Sequence, residues 1–343
     1  MKKKISVLMI LGCMAINMTA CGSTSQSTTS ESQASKSGSP SGDIVLYTSQ
    51  PEEDVQVLIN KFNEKYPDVK VDVFRSGTEE VVSKILAEKK ADSVQADVLL
   101  VADSVTFESL KQQDILKAYK SPELKGIDEK YIDSDNMYTG TKIITTGIMY
   151  NTDKVKEPIK SFNDLTSDKY KDSVIMPSPL YSGAAAYNVG VMSRTDGLGW
   201  DYFKALKQNG ATVDKGNGAV QTAVVSGEKS CGIIVDYMAN RSKQDGLPVE
   251  FVYPEEGSPA ITEPIALVNG SDNEIAAEAF IDFTLSDEGQ QVAADLGYTP
   301  IKEGISAPKG LKSTDEVKTI TWDINELYKN KDADKEQFSS IFQ

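Results

Sequence analysis

The chain has 343 residues, and its 51 acidic and 36 basic side chains give a net charge of −15 at pH 7. Nucleic acid is excluded as a partner, because a phosphate backbone needs a basic surface. The sequence contains no histidine. This absence excludes Ser/His and Cys/His catalytic arrangements and every metal site that includes histidine.

The first twenty residues have the pattern of a secretory signal peptide, which is removed from the mature protein. Lysines at positions 2–4 precede an apolar run from Ile5 to Ile16, and small residues stand at Thr19 and Ala20. The run is too short to cross a hydrocarbon core about 30 Å thick. Removal of residues 1–20 takes away three lysines and leaves 33 basic and 51 acidic residues, a charge of about −18.

The predicted cleavage site ends in a cysteine, and Met18-Thr19-Ala20-Cys21 resembles the bacterial lipobox, whose cysteine is acylated. The resemblance implies a lipoprotein with acyl chains such as palmitate on Cys21, anchored to the outer face of the cell membrane. Residues 22–42 are almost entirely Ser, Thr, Gly, Gln and Lys, so we predict a lipidated, flexible tether over residues 21–42. Cys231 is then the one cysteine beyond the tether, and it has no intramolecular disulfide partner.

The rest of the chain alternates short apolar runs with helical patterns, which is typical of an α/β protein with mostly parallel sheets. Helical spacing of apolar residues predicts helices over residues 55–62 and 275–283, and a docked helix within residues 314–343. The last of these segments carries Val317, Ile320, Ile324 and Leu327 at that spacing. The predicted strands are 44–47, 69–74, 97–101, 143–150, 174–177, 232–235, 250–253 and 265–268.

Several segments, in this order, resemble extracellular solute-binding proteins of ABC importers. The resemblance is to the cluster that includes ferric-iron, sugar-phosphate, phosphonate, thiamine and polyamine binders. The segments are Val45-Leu46-Tyr47-Thr48-Ser49, Phe74-Arg75-Ser76-Gly77-Thr78-Glu79, Met149-Tyr150-Asn151-Thr152-Asp153-Lys154-Val155, Ser161-Phe162-Asn163-Asp164-Leu165, Pro177-Ser178-Pro179-Leu180-Tyr181-Ser182-Gly183 and Leu285-Ser286-Asp287-Glu288-Gly289-Gln290.

The resemblance implies the two-lobe periplasmic-binding-protein fold of class II, with a hinge of crossing strands and a ligand cleft between the lobes. The strand from Ile143 to Tyr150 is the candidate for the first crossing. The expected organisation is lobe 1 over residues 43–145, lobe 2 over residues 146–255, a return to lobe 1 over residues 256–300, and a helical segment over residues 301–343 that closes the fold.

Strand-to-helix junctions rich in hydroxyls or glycine are candidate anion sites, because backbone amides and the positive end of the helix dipole point outward there. The junctions contain Ser49, then Ser76, Gly77 and Thr78, then Ser182 and Gly183. The alternative is that these residues are ordinary N-caps.

The residues after each junction rank the candidates. Acids follow the first two junctions at positions 52–54 and 79–80 and would partly repel an anion, whereas three alanines follow Gly183. Ser182 and Gly183 are therefore the predicted contacts for a negative group, with Gly183 allowing a close backbone approach.

Carboxylates are expected at the other end of the ligand. Asp236 and Tyr237 follow the strand 232–235, and Glu263 precedes the strand 265–268. The alternative for Asp236 is a hinge or capping role. Two carboxylates suit sugar hydroxyls or an ammonium group.

Iron-binding relatives hold their metal with adjacent tyrosines, a histidine and a carboxylate. This chain has no adjacent tyrosine pair and no histidine, so we expect no metal and no cofactor.

The sequence therefore predicts a monomeric receptor, without catalytic activity, that delivers a phosphorylated sugar or a phosphonate to an ABC permease. The first alternative is a ferric-iron or cation receptor for polyamine or thiamine. The second is an extracellular hydrolase that uses Asp and Glu as acid and base.

Overall fold

The computed structural model describes residues 39–313 and 315–343. The predicted signal peptide, Cys21 and most of the predicted tether lie outside the described residues. Within the described residues, no helix combines the length and the apolar character that crossing a membrane requires.

The chain alternates strands and helices, which confirms the predicted α/β class. Each predicted strand has a counterpart, and the structure adds short strands that carry little apolar pattern. The strands are β1 (Gly42–Thr48), β2 (Val69–Arg75), β3 (Val98–Leu100), β4 (Leu116–Lys117), β5 (Thr139–Asn151), β6 (Val174–Pro177), β7 (Thr212–Asp214), β8 (Cys231–Val235), β9 (Val249–Val252), β10 (Ser258–Val268), β11 (Thr299–Pro300) and β12 (Thr319–Ile320). The α-helices are α1 (Glu52–Lys65), α2 (Thr78–Lys90), α3 (Ser104–Lys111), α4 (Gly183–Met192), α5 (Gly199–Gln208), α6 (Asn217–Val225), α7 (Asp236–Gln244), α8 (Glu274–Leu285), α9 (Asp287–Asp295) and α10 (Ile324–Phe342).

The sheet is mixed, which differs from the mostly parallel sheets predicted. Its strand order is β2-β1-β3-β10-β5-β8-β6-β7. The outer strands are parallel, since β1 pairs with β2 and β3, and β6 pairs with β7 and β8. Among the described residues every antiparallel pair involves β5 or β10. Both are long strands that run back across the middle of the sheet.

Strands β5 and β10 join two groups of strands, which we call the first sheet half (β1, β2 and β3) and the second sheet half (β6, β7 and β8). Residues 139–145 of β5 pair with β10, and residues 146–150 pair with β8. The predicted first crossing, residues 143–150, thus lies in a strand that pairs with β10 along one part and with β8 of the second sheet half along the other. The lobe boundaries proposed from the sequence stay a prediction.

The first sheet half is covered by helices on both faces, as side-chain alternation along a strand requires. Ile44 and Leu46 belong to an apolar cluster with residues of α1 and α8. Tyr47 and Leu99 belong to a separate cluster with residues of α2 and α3. The second sheet half has its own core with α4, α5 and α6, and α10 adds Leu327 and Phe338 to it.

The C-terminal helix begins later than the apolar spacing predicts. Val317 and Ile320 precede α10, and Ile320 pairs with β10 as part of β12. The helix starts at Ile324 because Asp323 caps it, accepting a hydrogen bond from the Glu326 amide at 2.9 Å. The docked helix is confirmed, whereas its predicted first turns are irregular chain and a short strand.

Candidate functional site

A cleft of about 920 Å³ lies among the starts of several helices. The first sheet half contributes the starts of α1 and α2, and the second contributes those of α4, α6 and α7. Each of these helices follows a parallel strand. The carboxyl ends of parallel strands meet at one edge of a sheet, which is where α/β proteins hold ligands.

The start of α4 forms part of the wall on the second sheet half. Ser182 is its N-cap, and the Ser182 Oγ accepts a hydrogen bond from the Ala185 amide at 3.3 Å. The first turn of α4 contains no acid, and neither does the first turn of α6, whose N-cap is Gly216. The first amides of a helix have no carbonyl partner within that helix. The dipoles of both helices are therefore uncompensated by their own first turns.

Asn217, the first residue of α6, was missed by the sequence analysis. Its Nδ2 donates to the Ser182 Oγ at 3.4 Å, and its Oδ1 accepts from the Val235 amide at 3.3 Å. The side chain thereby ties the start of α6 to the start of α4 and to the end of β8. The signal in the sequence was Gly216-Asn217-Gly218, a flexible junction after a strand too short to be predicted.

The wall on the first sheet half places most of its predicted residues at the cleft. Ser49, Gly77 and Thr78 line it, together with the exposed acids Glu52 and Glu53. Ser76 is absent from the cleft lining. Its hydroxyl donates to the Glu80 carboxylate in the first turn of α2, whose N-cap is Gly77.

Gly77 and Gly183 mark places where the two walls touch. A Cβ on Gly77 would lie 2.5 Å from the Tyr181 ring, and a Cβ on Gly183 would lie 2.5 Å from the Ala102 carbonyl oxygen. The Glu79 amide also donates to the Tyr181 carbonyl at 3.3 Å. In this structure the close backbone approach at Gly183 is therefore made to the opposite wall.

Two cations, Arg75 and Lys215, lie beside the cleft. Arg75 Nε donates to the Gln50 carbonyl at 2.8 Å, and Lys215 lies 3.2 Å from the Glu80 carboxylate. The Lys215 ammonium also lies 4.5 Å from the centre of the Tyr181 ring. Both cations line the cleft, so positive charge is present there despite the acidic composition of the chain.

Glu263 lies at the cleft and is only 4% exposed. Its Oε2 accepts from the Gln50 Nε2 at 2.7 Å and forms an ion pair with Lys142, which is itself buried. A buried carboxylate needs such a partner, because an isolated charge is costly to remove from water.

Asp236 and Tyr237 are adjacent in sequence but differ in position. Asp236 is absent from the cleft lining and buried, and it accepts from the Thr145 hydroxyl at 2.5 Å. Burial raises the pKa of its carboxyl to about 6. The hydrogen bond ties the start of α7 to β5, the strand on which Thr145 lies.

Tyr237 lines the cleft. Its ring packs on Tyr298 at 4.3 Å between ring centres, and Arg241 lies 4.8 Å from the centre of the Tyr237 ring. Burial raises the pKa of the Tyr237 phenol. Arg241 also forms a two-pronged ion pair with Asp54 at 3.0 and 2.9 Å.

Across residues 39–313 and 315–343, no group of three or more Asp, Glu, Cys or His side chains is arranged to hold a metal ion.

Comparison with known sequences identifies similar proteins. The family described as bacterial extracellular solute-binding protein matches residues 93–326. A probable ABC transporter periplasmic-binding protein, y4fP, from Sinorhizobium fredii is 26% identical over 247 residues, 67% of each chain. An Fe(3+)-binding periplasmic protein from Serratia marcescens is 23% identical over 78% of this chain and 81% of its own.

Similar solved structures lead to the same class of protein. The periplasmic binding protein AfuA from Actinobacillus pleuropneumoniae, with fructose-6-phosphate bound, has a TM-score of 0.81 at 26% identity, over 88% of this chain and 98% of its own. Iron-bound HitA from Pseudomonas aeruginosa has a TM-score of 0.75 at 22% identity, over 86% and 99% of the two chains. The likeness to HitA concerns the fold alone.

Proposed function

We propose a class of solute for this chain, which belongs to the bacterial extracellular solute-binding proteins and serves an ABC transporter rather than acting as an enzyme. The proposed solute is a small organic phosphate or phosphonate. The observation that carries the proposal is the pair of acid-free helix starts at α4 and α6, held together by Asn217. Helix starts of this kind bind phosphate groups through backbone amides.

The charges around the cleft support the same ligand class. Arg75 and Lys215 line the cleft and can donate charge-assisted hydrogen bonds to an anion bound there. The structurally similar AfuA was solved with fructose-6-phosphate bound.

The other end of the solute carries hydrogen-bond donors in this proposal. Glu263, Glu52 and Glu53 line the wall opposite to α4 and α6 and are acceptors for sugar hydroxyls or an ammonium group. Ser49, Gly77, Thr78, Ser182, Gly183 and Tyr237 are the further ligand contacts that we propose. Asp236 and Ser76 act behind this layer through their partners.

A thermal-shift screen tests the ligand class with sugar phosphates, alkylphosphonates, polyamines, thiamine and ferric citrate. A true ligand at 100 times its dissociation constant stabilises the protein by about 2.7 kcal/mol. We expect a rise in melting temperature with a phosphorylated compound. A rise with a polyamine or ferric citrate and none with any phosphate would overturn the proposal in favour of the cation or iron receptor.

We also propose that the protein is a lipoprotein, acylated on Cys21 and held outside the cell membrane by the tether over residues 21–42. The lipobox-like segment and the polar composition of the tether support this anchor. Mass spectrometry of the membrane-extracted protein should show an acylated N-terminal cysteine. Recovery of Cys21→Ala in the membrane fraction at wild-type levels would contradict the anchor.

The binding cycle that we propose is opening and closing of two lobes in a monomer that docks on its permease. The lobes are residues 43–145 with 256–300, and residues 146–255, and the segment 301–343 closes the fold. The joining strands β5 and β10 support a hinge there.

A further inference from the structure

The C-terminal helix α10 contacts helices of both sheet halves. It packs on α4 and α5, which cover the second sheet half, and on α3, which covers the first. Contacts with the two halves differ in chemistry.

Toward the second sheet half the contact is apolar and extensive. Phe338 belongs to the core of that half and packs edge-on against Phe203 at 5.8 Å between ring centres. Leu327 lies so close to Gly190 that a Cβ there would be 2.9 Å away. Asp334 adds a two-pronged ion pair with Arg194. Separation of these surfaces would cost free energy, because it would expose buried apolar area to water.

Toward the first sheet half the apolar contact is smaller, with Val105 of α3 in the same buried cluster as Leu327 and Phe338, and polar groups make the rest. Lys335 Nζ lies 2.6 Å from the Glu79 carboxylate in the first turn of α2, with the two side chains 18% and 22% exposed. Lys331 Nζ donates to the Ser109 hydroxyl on α3 at 3.0 Å. These polar groups form hydrogen bonds with water when the surfaces separate, so this contact resists separation less than the apolar contact does.

From this asymmetry we propose that α10 is a clasp: it moves with the second sheet half and holds the first through Glu79 and Ser109 when the cleft closes. Glu79 is also the residue whose amide donates to the Tyr181 carbonyl across the cleft. The clasp therefore acts where the walls meet, without touching the solute. It goes beyond the proposed function, because it holds for any ligand class.

Charge reversal tests the clasp without any ligand. Hydrogen exchange of the full chain is compared for wild type, Lys335→Glu, Glu79→Lys and the double exchange Glu79→Lys/Lys335→Glu. The control Lys329→Glu makes the same charge change on an exposed residue of α10. We expect the first turn of α2 to exchange about threefold faster in each single variant, and the double exchange to restore protection.

Failure of the double exchange to restore protection, or an equal effect of Lys329→Glu, would overturn the clasp. Should either single variant fold poorly by circular dichroism, Lys335→Gln and Glu79→Gln remove the attraction without adding repulsion, and faster exchange in both is again expected.

A second readout uses fructose 6-phosphate as the probe. In Lys335→Glu we expect its dissociation rate to rise about threefold, with little change in association rate, because the clasp forms after binding. An unchanged dissociation rate would overturn the link to closure. If wild type does not bind this probe, the compound found by thermal shift replaces it, and hydrogen exchange decides the clasp in either case.

Discussion

The two walls of the cleft are built alike and charged differently. On both, parallel strands end at the cleft and helices begin there. The first turns of α1 and α2 contain Glu52, Glu53, Asp54, Glu79 and Glu80, whereas those of α4 and α6 contain no acid. The α/β architecture thus points positive helix ends at the ligand from both sides, and the first-turn residues decide which ends remain available to an anion.

The two walls also differ in their buried polar groups. On the first side the carboxylate of Glu263 is matched by Lys142 and Gln50, while on the second an amide, Asn217, links neutral groups. The first wall therefore has a buried ion pair beside it, whereas neutral hydrogen bonds link the starts of α4 and α6 on the second. The predictions below test these differences, beginning with the largest effect.

Removal of Lys142 tests the charge pairing. Lys142→Met leaves Glu263 buried without its cation, so we expect a loss of about 3–5 kcal/mol in the free energy of unfolding. Urea denaturation measures it. Lys204→Met, which breaks an exposed pair with Asp201, should cost less than about 1 kcal/mol. If Lys142→Met/Glu263→Gln is no more stable than Lys142→Met, charge pairing is not what holds this wall.

Addition of an acid to the acid-free start of α4 tests the anion site. Ser182→Asp keeps a good N-cap but places negative charge at the start of α4, so affinity for a phosphorylated solute should fall about 100-fold. Calorimetric titration with the compound found by thermal shift measures it. Ser182→Asn has the same shape without the charge and should lose much less. Equal losses in both variants would mean that shape matters here and charge does not.

Titration of Asp236 tests the polar support behind the second wall. Its raised pKa, about 6 in the folded protein against an ordinary 3.8, means that the folded state holds the proton more tightly. Stability should therefore fall by on the order of 2 kcal/mol as pH rises from about 4 through 6. Asp103 is also buried with a pKa raised to about 6, so it contributes a slope in the same pH range. Asp236→Asn should lose only the part of the combined slope that Asp236 contributes, while Asp245→Asn, at the exposed end of α7, should keep the whole. The same slope in Asp236→Asn would assign it to another group.

Contact between the walls is tested by Gly77→Ala. The φ of −66° and ψ of 153° at Gly77 suit alanine, so the added methyl group meets only the Tyr181 ring. Affinity should fall about tenfold, the cost of a modest overpacking. In a Tyr181→Ala background the same change should cost almost nothing. An equal loss in both backgrounds would show that the methyl group disturbs the ligand itself.

Much of the fold follows from local pattern. Apolar runs located the long strands, and the 3.6-residue spacing located α1 and α8, because burial on one face leaves a periodic trace. Strand β7 escaped notice since its three residues are mostly exposed. The start of α10 was placed too early because the helical spacing of apolar residues includes Val317 and Ile320. Both precede the helix, and Ile320 lies in the short strand β12.

The site was predictable only in part. Ser182 and Gly183 were found because a helix start without acids is visible in the sequence. Asn217 was not found, since its role depends on two partners, Ser182 and Val235, that are distant along the chain. Ser76 and Asp236 are adjacent in sequence to Gly77 and Tyr237, which line the cleft, but do not line it themselves. Only the direction of the side chain distinguishes residues that line the cleft from these neighbours.

By itself the sequence determined the α/β class, the family resemblance and the first-turn charges of each helix, because all of these are local properties. The tertiary structure decided which helix starts share a cleft, which carboxylate is neutralised by which cation, and that Gly183 meets Ala102. These depend on contacts between residues far apart in the chain, and long-range packing leaves no periodic signal in the sequence.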